Sequence, residues 1–245
     1  MVESYAERLT PPSPKENYLL AGLPESHCLP FVQKLSVIFL PRGEVLYESG
    51  DEEEFVYFPT SAIISLLHMM KDGSSVEVSV VGNEGIVGVD VFMGGCRTQS
   101  RVVVQSAGFA YRLSAAALKN EFNHHGPLTT LLLNYTQSLI TQMAQTSACN
   151  RYHSIDQQLC RLLLLSLDRL NKNTLTMTQE IIASMLGVRR EGVTAAAGKL
   201  QKRGVIKYAR GHITIMNRPE LEHLSCECYA LVKNEARRLQ PFFRN

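Results

Sequence analysis

The side chains best suited to directed polar contacts crowd between residues 176 and 216, and their spacing is ordered. Thr178 can cap a helix that opens Gln179-Glu180, and an acidic first turn suits the positive end of a helix dipole. With Gln179 as the first position, Ala183 is fifth, Gly187 ninth and Val193 fifteenth. A small fifth residue lets a second helix cross close above it. Glycine at the ninth tolerates the positive φ of a tight turn, and an apolar fifteenth is buried between the helices. Ile182, Leu186, Val188 and Leu200 complete the apolar set of a helix-turn-helix. The second helix, expected over residues 189–203, opens with Arg189, Arg190, Glu191 and Thr194, is slim at Ala195, Ala196, Ala197 and Gly198, and ends on Lys199, Lys202 and Arg203. Early residues of such a helix can meet base edges in a major groove. Arg suits O6 and N7 of guanine, Glu accepts from cytosine N4, and Lys or Arg elsewhere neutralises phosphates. After Gly204, residues 205–208 and 213–215 flank Ala209-Arg210-Gly211-His212, a hairpin with a basic tip. The expected phosphate contacts are Lys199, Lys202, Arg210 and His212, with Thr178 and Gln179 on the flanking backbone. The chemistry is recognition of double-stranded DNA.

Charge agrees with that placement. The 245 residues carry 25 Lys plus Arg and 23 Asp plus Glu, a formal charge of +2. Residues 1–150 hold nine basic and fifteen acidic side chains, net −6, whereas residues 151–245 hold sixteen and eight, net +8. Residues 172–218 alone hold nine basic and two acidic ones. Such a split points to a nucleic-acid or membrane partner for the basic part. At 45% hydrophobic and 20% charged, the composition is globular. The longest near-apolar stretch, residues 159–170, contains Arg161, Asp168 and Arg169, so no membrane span is expected. The N-terminus, with Glu3, Glu7 and Arg8, has no signal-peptide core. A cytoplasmic protein with reduced thiols is the expectation.

The remaining reactive groups are weaker candidates. Cys149 and His153 are spaced i,i+4 on one helix face, and Cys226 and Cys228 flank Glu227. These four could hold zinc if the two segments met. However, Asn217-Arg218-Pro219-Glu220 reads as the start of a helix with Leu221, Leu224, Cys228 and Leu231 on its stripe. In that helix Cys226 lies about 200° from Cys228 and faces away. No metal and no required cofactor are therefore expected, and the thiols are read as buried and idle rather than as a redox switch. His124 and His125 precede Gly126-Pro127 in a surface turn. P-loop, G-x-S-x-G and H-E-x-x-H motifs are absent, and Glu52-Glu53-Glu54 reads as a solvated run, so an enzyme is not expected.

The elements that must position the basic helix follow from texture. Residues 1–17, with Pro11, Pro12 and Pro14, read as a flexible tail. Over residues 18–126 short β-branched runs alternate with turns such as Lys71-Asp72-Gly73-Ser74, which indicates a β sandwich or barrel. Residues 127–153 form one long helix and a hinge. Leu128, Leu132, Tyr135, Leu139, Gln142 and Thr146 follow the 4-3-4-3-4 spacing of a coiled-coil seam and are the expected dimer contacts. The other reading of that stripe is a helix packed on its own β domain. Residues 154–245 complete the winged helix-turn-helix. The class is α+β.

This order resembles the Crp/Fnr family of bacterial transcription regulators. The residues that carry the resemblance are residues 43–51 (Gly-Glu-Val-Leu-Tyr-Glu-Ser-Gly-Asp), Gly85-Ile86-Val87-Gly88, and Thr178-Gln179-Glu180 through Gly187-Val188-Arg189-Arg190-Glu191 with its wing. The resemblance implies a cyclic-nucleotide-binding-like double-stranded β-helix, or jelly roll, a parallel dimer through the long helix, a palindromic operator and RNA polymerase as a further partner. It makes Arg190 and Glu191 the base-reading pair. Two departures stand out. The positions that would supply a Gly-Glu and an Arg-Ser pair to cyclic AMP read Gly88-Val89 and Gln99-Ser100, with Arg101 two residues after Gln99 and on the other strand face. Val89 cannot bond a ribose hydroxyl and Gln99 cannot neutralise a phosphate, so cyclic AMP is not the expected effector. Ala195 stands where members reading the best-known operator have a second Arg. Only Cys28 lies where an oxygen-sensing iron–sulfur cluster would need a group of cysteines. The alternative to an effector-gated regulator is an effector-independent architectural DNA-binding dimer whose β domain is an interaction scaffold.

Overall fold

The computed structural model describes residues 11–95, 97–170 and 173–239, which divide into two compact units. The first comprises residues up to 65 and residues 81–137; the second comprises residues 66–80 and 138–237.

The first unit opens on a single 3-10 turn, Pro14–Glu16, closed by a capping box from Ser13. The short helices α1 (Tyr18–Ala21) and α2 (Glu25–Val32) follow. Two β-sheets come next. One has the order β1-β7-β3, from β1 (Ser36–Leu40), β7 (Gly108–Ser114) and β3 (Phe55–Pro59), all antiparallel. The other has the order β2-β6-β4-β5, from β2 (Val45–Tyr47), β6 (Arg101–Ser106), β4 (Ile63–Met69) and β5 (Ser75–Val81), the last two falling mostly among residues 66–80 of the second unit. Phe58, Ile63, Ile64 and Ile86 are fully buried with Leu19 and Leu20. The tail expected over residues 1–17 lies partly outside the described residues, and its described end is tied down. Asn17 is buried, donates from Nδ2 to the Pro59 and Gly85 carbonyls at 2.8 Å each, and caps α1 through Oδ1. The prolines themselves stay exposed or half-exposed, and the anchoring of Asn17 depends on tertiary partners that local composition does not reveal.

Helix α3 (Ala115–Asn123), capped by Ser114, leads to α4 (Pro127–Tyr152), a single 26-residue helix. Its heptad stripe corrects the expected dimer seam. Leu128, Leu132, Tyr135, Leu139, Gln142 and Thr146 are all buried within one chain. The Tyr135 ring lies against Gly85, where a Cβ would sit 2.2 Å from it, so that close approach requires glycine. Gln142 Oε1 accepts from Ser79 Oγ at 2.7 Å and from the Val80 amide at 2.8 Å. A heptad pattern shows that a stripe is covered; it does not say whether the cover is a partner helix or the chain's own β-strands. The outward stripe is instead Thr130, Leu133, Gln137, Ile140, Ala144, Ser147 and Arg151, again spaced 3-4-3-4-3-4, with Leu133 48% and Ile140 52% exposed.

The second unit centres on α5 (Ile155–Leu167), α6 (Gln179–Leu186) and α7 (Arg190–Lys202) over the three-stranded sheet β8-β10-β9. Those strands are β8 (Thr174–Thr176), β10 (His212–Ile215) and β9 (Ile206–Ala209). One cluster of leucines from α5 with Ile182, Val193, Leu200, Ile213 and Leu221 forms its core. Two helices end the described residues, α8 (Arg218–Leu224) and α9 (Glu227–Leu239). Arg218 holds them to α5 by contacts to Asp168, Glu222 and the Tyr229 hydroxyl. No helix among the described residues is long and apolar enough to cross a membrane.

Candidate nucleic-acid interface

The helix-turn-helix forms as its spacing demands. Thr178 caps α6, its Oγ1 accepting from the Ile181 amide at 3.2 Å. Gly187 ends α6 at φ 65°, in the left-handed region that favours glycine. Ala183 and Val193 are buried between α6 and α7. The first turn of α7 then stands free of that core, because burial of Val193, Ala196, Ala197 and Leu200 turns the other face outward. Arg189, Arg190, Glu191, Thr194 and Ala195 are all exposed on it, with Lys199 and Lys202 further along.

Neighbours hold these side chains in different ways. Thr194 Oγ1 donates to Gln179 Oε1 at 2.7 Å, which fixes the opening of α6 against α7. Arg190 Nε is 3.9 Å from Glu180 Oε2 with both side chains mostly exposed, a loose pair that DNA can displace. Lys199 is engaged more tightly, its Nζ 2.7 Å from Asp156 Oδ2 on α5, a partner that the reading of α6–α7 alone did not supply. The wing is a two-residue hairpin between β9 and β10. Arg210 (φ 50°) and Gly211 (φ 79°) both take positive φ, the geometry of a type I′ turn, and they put the Arg210 side chain at the exposed tip. His212 is exposed and its Nδ1 lies 3.3 Å from Thr176 Oγ1. The expected base-reading and phosphate residues therefore fall on α6, α7 and the wing of one unit.

In the β domain the cassette positions carry no cation for an anionic ligand. Gly88 is buried and caps a short 3-10 turn, Val89–Val91. Gln99 is exposed, and its carbonyl accepts from Ser49 Oγ at 3.1 Å. The Ser100 amide donates to Thr98 Oγ1 at 3.2 Å. Arg101 Nε is 3.2 Å from Glu48 Oε1, so its charge is already opposed. Glu53, read from sequence as solvated, is instead buried with Oε2 lacking any hydrogen-bond partner. Burial, and then the Asp90 carboxylate, push its pKa up to about 7, and burial raises Asp90 as well. The β domain thus carries a paired Arg101 and, beside Asp90, a buried Glu53 whose carboxyl group is held toward its neutral form.

A second constellation overturns the separation expected of the cysteines. Cys149, His153, Cys226 and Cys228 converge, with their ligating atoms all within 4.8 Å of one another. The chain breaks between α8 and α9 at Ser225-Cys226, so Cys226 precedes the helix and the 200° separation of a continuous helix does not apply. Cys149 Sγ and Cys226 Sγ are 3.5 Å apart, and Cys228 Sγ is 3.4 Å from His153 Nδ1. The hydrogen bond from Cys149 holds the Cys226 thiol down, and sharing that proton raises Cys149. Cys160, which is not one of the four, is pushed up to about 12, chiefly by burial.

Residues 37–125 match the cyclic nucleotide-binding domain family, and residues 157–224 match the Crp-like helix-turn-helix domain family. No curated relative matches the chain. Among solved structures it is similar to a transcriptional regulator of the crp/fnr family from Eubacterium rectale, at 18% identity over 85% of this chain and 98% of that one, with a TM-score of 0.67. It is similar to FixK2 from Bradyrhizobium japonicum at 15% identity, over 78% and 98% of the two chains, TM-score 0.65. A CRP-family transcriptional regulator from Thermus thermophilus is similar at 18% identity, over 77% and 96%, TM-score 0.64.

Proposed function

Because the chain belongs to the Crp/Fnr family of transcription regulators, we propose that it is a cytoplasmic, sequence-specific DNA-binding homodimer that acts on a palindromic operator and does not respond to cyclic AMP. The exposed first turn of α7, with Arg189, Arg190 and Glu191 clear of the core, carries this reading. A guanidinium fork and a carboxylate side by side discriminate G·C pairs, which a non-specific binder does not need. Lys202 and Arg210 supply phosphate contacts around that reader.

Dimerisation is supported by the outward stripe of α4. Leu133 and Ile140 are large apolar side chains half in water, seven residues apart, with small Ala144 and Ser147 beyond them. A second copy of the same helix would cover them and place two recognition helices on adjacent major grooves. The acidic Glu53–Asp90 pair and the Arg101–Glu48 pair argue against cyclic AMP. The same missing cassette is what favours the second reading, an architectural dimer without an effector.

Genomic footprinting tests the proposal. A palindrome with half-sites about one helical turn apart is expected. Uniform coverage without a motif would leave the architectural reading instead. Titration with cyclic AMP should leave the melting temperature unchanged, and a saturable rise would refute the effector reading without touching the DNA-binding one.

A further inference from the structure

We propose that Cys149, His153, Cys226 and Cys228 form a closed, four-coordinate site for one thiophilic divalent ion of the zinc class, fastening the end of α4 to the start of α9.

Donor type, number and reach agree. Three thiols and one imidazole form a Cys₃His set, one of the usual ligand sets of structural zinc. With Zn–S near 2.3 Å and Zn–N near 2.0 Å, a tetrahedron has edges of about 3.5–3.8 Å. The four ligand atoms lie within 4.8 Å of each other, and two of the separations are 3.5 and 3.4 Å. Adjustments of a few tenths of an ångström to about 1 Å, by side-chain rotation, would centre one ion among them. All three cysteines are buried and His153 is nearly so, leaving no place for a water or substrate ligand. The site is therefore structural or regulatory in kind rather than catalytic.

The surroundings are those that a metal–thiolate centre requires. His153 Nε2 lies 3.2 Å from Glu227 Oε1, so a proton held on Nε2 leaves Nδ1, the atom facing Cys228, free to ligate. Gln145 Nε2 donates to Cys228 Sγ at 3.0 Å, a bond that stabilises a thiolate. Three thiolates and a divalent cation leave a net charge of about −1. Arg161, buried on α5, supplies the opposite charge: its field acts on Cys149, its Nη1 donates to Thr146 Oγ1, and its Nε has no hydrogen-bond partner. Occupation conserves charge, because each thiol that ligates releases its proton to solvent while the imidazole binds through its lone pair.

Position gives the site a consequence. Cys149 and His153 bracket the last turn of α4, and Ser154 caps α5 immediately after it. An ion held there braces the joint between α4 and α5, adding to the hydrogen bonds from Arg161 to Thr146 and from Gln158 to the His153 carbonyl that already cross it.

Cobalt titration of the reduced, chelator-treated full chain is the test. One equivalent should produce a thiolate-to-cobalt charge-transfer band and the intense visible bands of tetrahedral cobalt, and zinc should displace it. Cys226→Ser and Cys228→Ser should abolish that spectrum, and Cys160→Ser should leave it intact. Glu227→Gln alters an exposed carboxylate without disturbing the core and should weaken the metal about 10–100-fold, which covers the case in which the cysteine variants fail to fold. A reduced protein that binds no cobalt, or a spectrum indifferent to Cys226, Cys228 and Glu227, overturns the proposal. So does a Cys149–Cys226 disulfide as the only chemistry of the cluster.

Discussion

Lys199 Nζ on the recognition helix lies 2.7 Å from Asp156 Oδ2 on the preceding helix of the same domain. The pair is partly exposed, so it is worth little to stability, but it fixes where one positive charge points. Asp156→Asn should free Lys199 for a phosphate. Affinity should rise for cognate and random DNA alike, and the salt dependence should steepen by roughly 0.9 in slope. Lys202→Ala should do the reverse, shrinking the slope by about one. Binding measured from low to moderate salt would check both. A slope indifferent to Asp156 removes Lys199 from the phosphate contacts.

Arg190→Ala should cost about 1–3 kcal/mol on the cognate site and relax preference at one base pair. The loose Glu180 partner means little is lost within the protein itself. Competition against operators varied one position at a time reads this out. Equal losses on cognate and random DNA would assign Arg190 to the backbone.

How much of this was legible beforehand depended on whether a signal was local. The helix-turn-helix was, because Ala183, Gly187 and Val193 answer to constraints a few residues away. The hairpin wing was too, through Ala209-Arg210-Gly211-His212, although its turn type was not. The stripe of α4 is legible as a covered face, but what covers it is not, because the cover comes from tertiary packing such as Gly85 against Tyr135 and Ser79 against Gln142. The four ligand-type side chains of the thiol cluster are legible in the sequence, but the helix break at Ser225 that brings Cys226 to them is not. Glu53 was read as solvated because a run of three glutamates beside a turn usually is, and nothing nearby in sequence announces its burial.

The two faces of α4 separate by mutation. Leu133→Glu or Ile140→Glu, on the outward stripe, should leave the fold intact but give monomers that bind one half-site weakly. Leu132→Glu places a charge at a fully buried position and should cost at least about 3 kcal/mol of stability. Sedimentation and urea denaturation distinguish the outcomes. Unchanged dimers in Leu133→Glu and Ile140→Glu together would move the interface off this helix.

Glu53 makes stability depend on pH in a definite direction. Its folded pKa, about 7, lies above the ordinary 4.5, so the folded state holds a proton that the unfolded chain has already released. The contribution is complete below about pH 4.5, falls as pH rises toward 7, and stays lost above it. Asp90, also raised by burial, acts in the same sense. A full shift would approach 1.4 kcal/mol per pH unit, and partial hydration of the site reduces the total to about 1–2 kcal/mol. Glu53→Gln keeps the shape and removes the ionisation, so it should stabilise the protein by that amount at pH 8 and by little or nothing at pH 5. Urea denaturation at both pH values decides it. A stability change equal at pH 5 and pH 8 would mean that Glu53 is solvated, and the acidic interior that argues against an anionic effector would go with it.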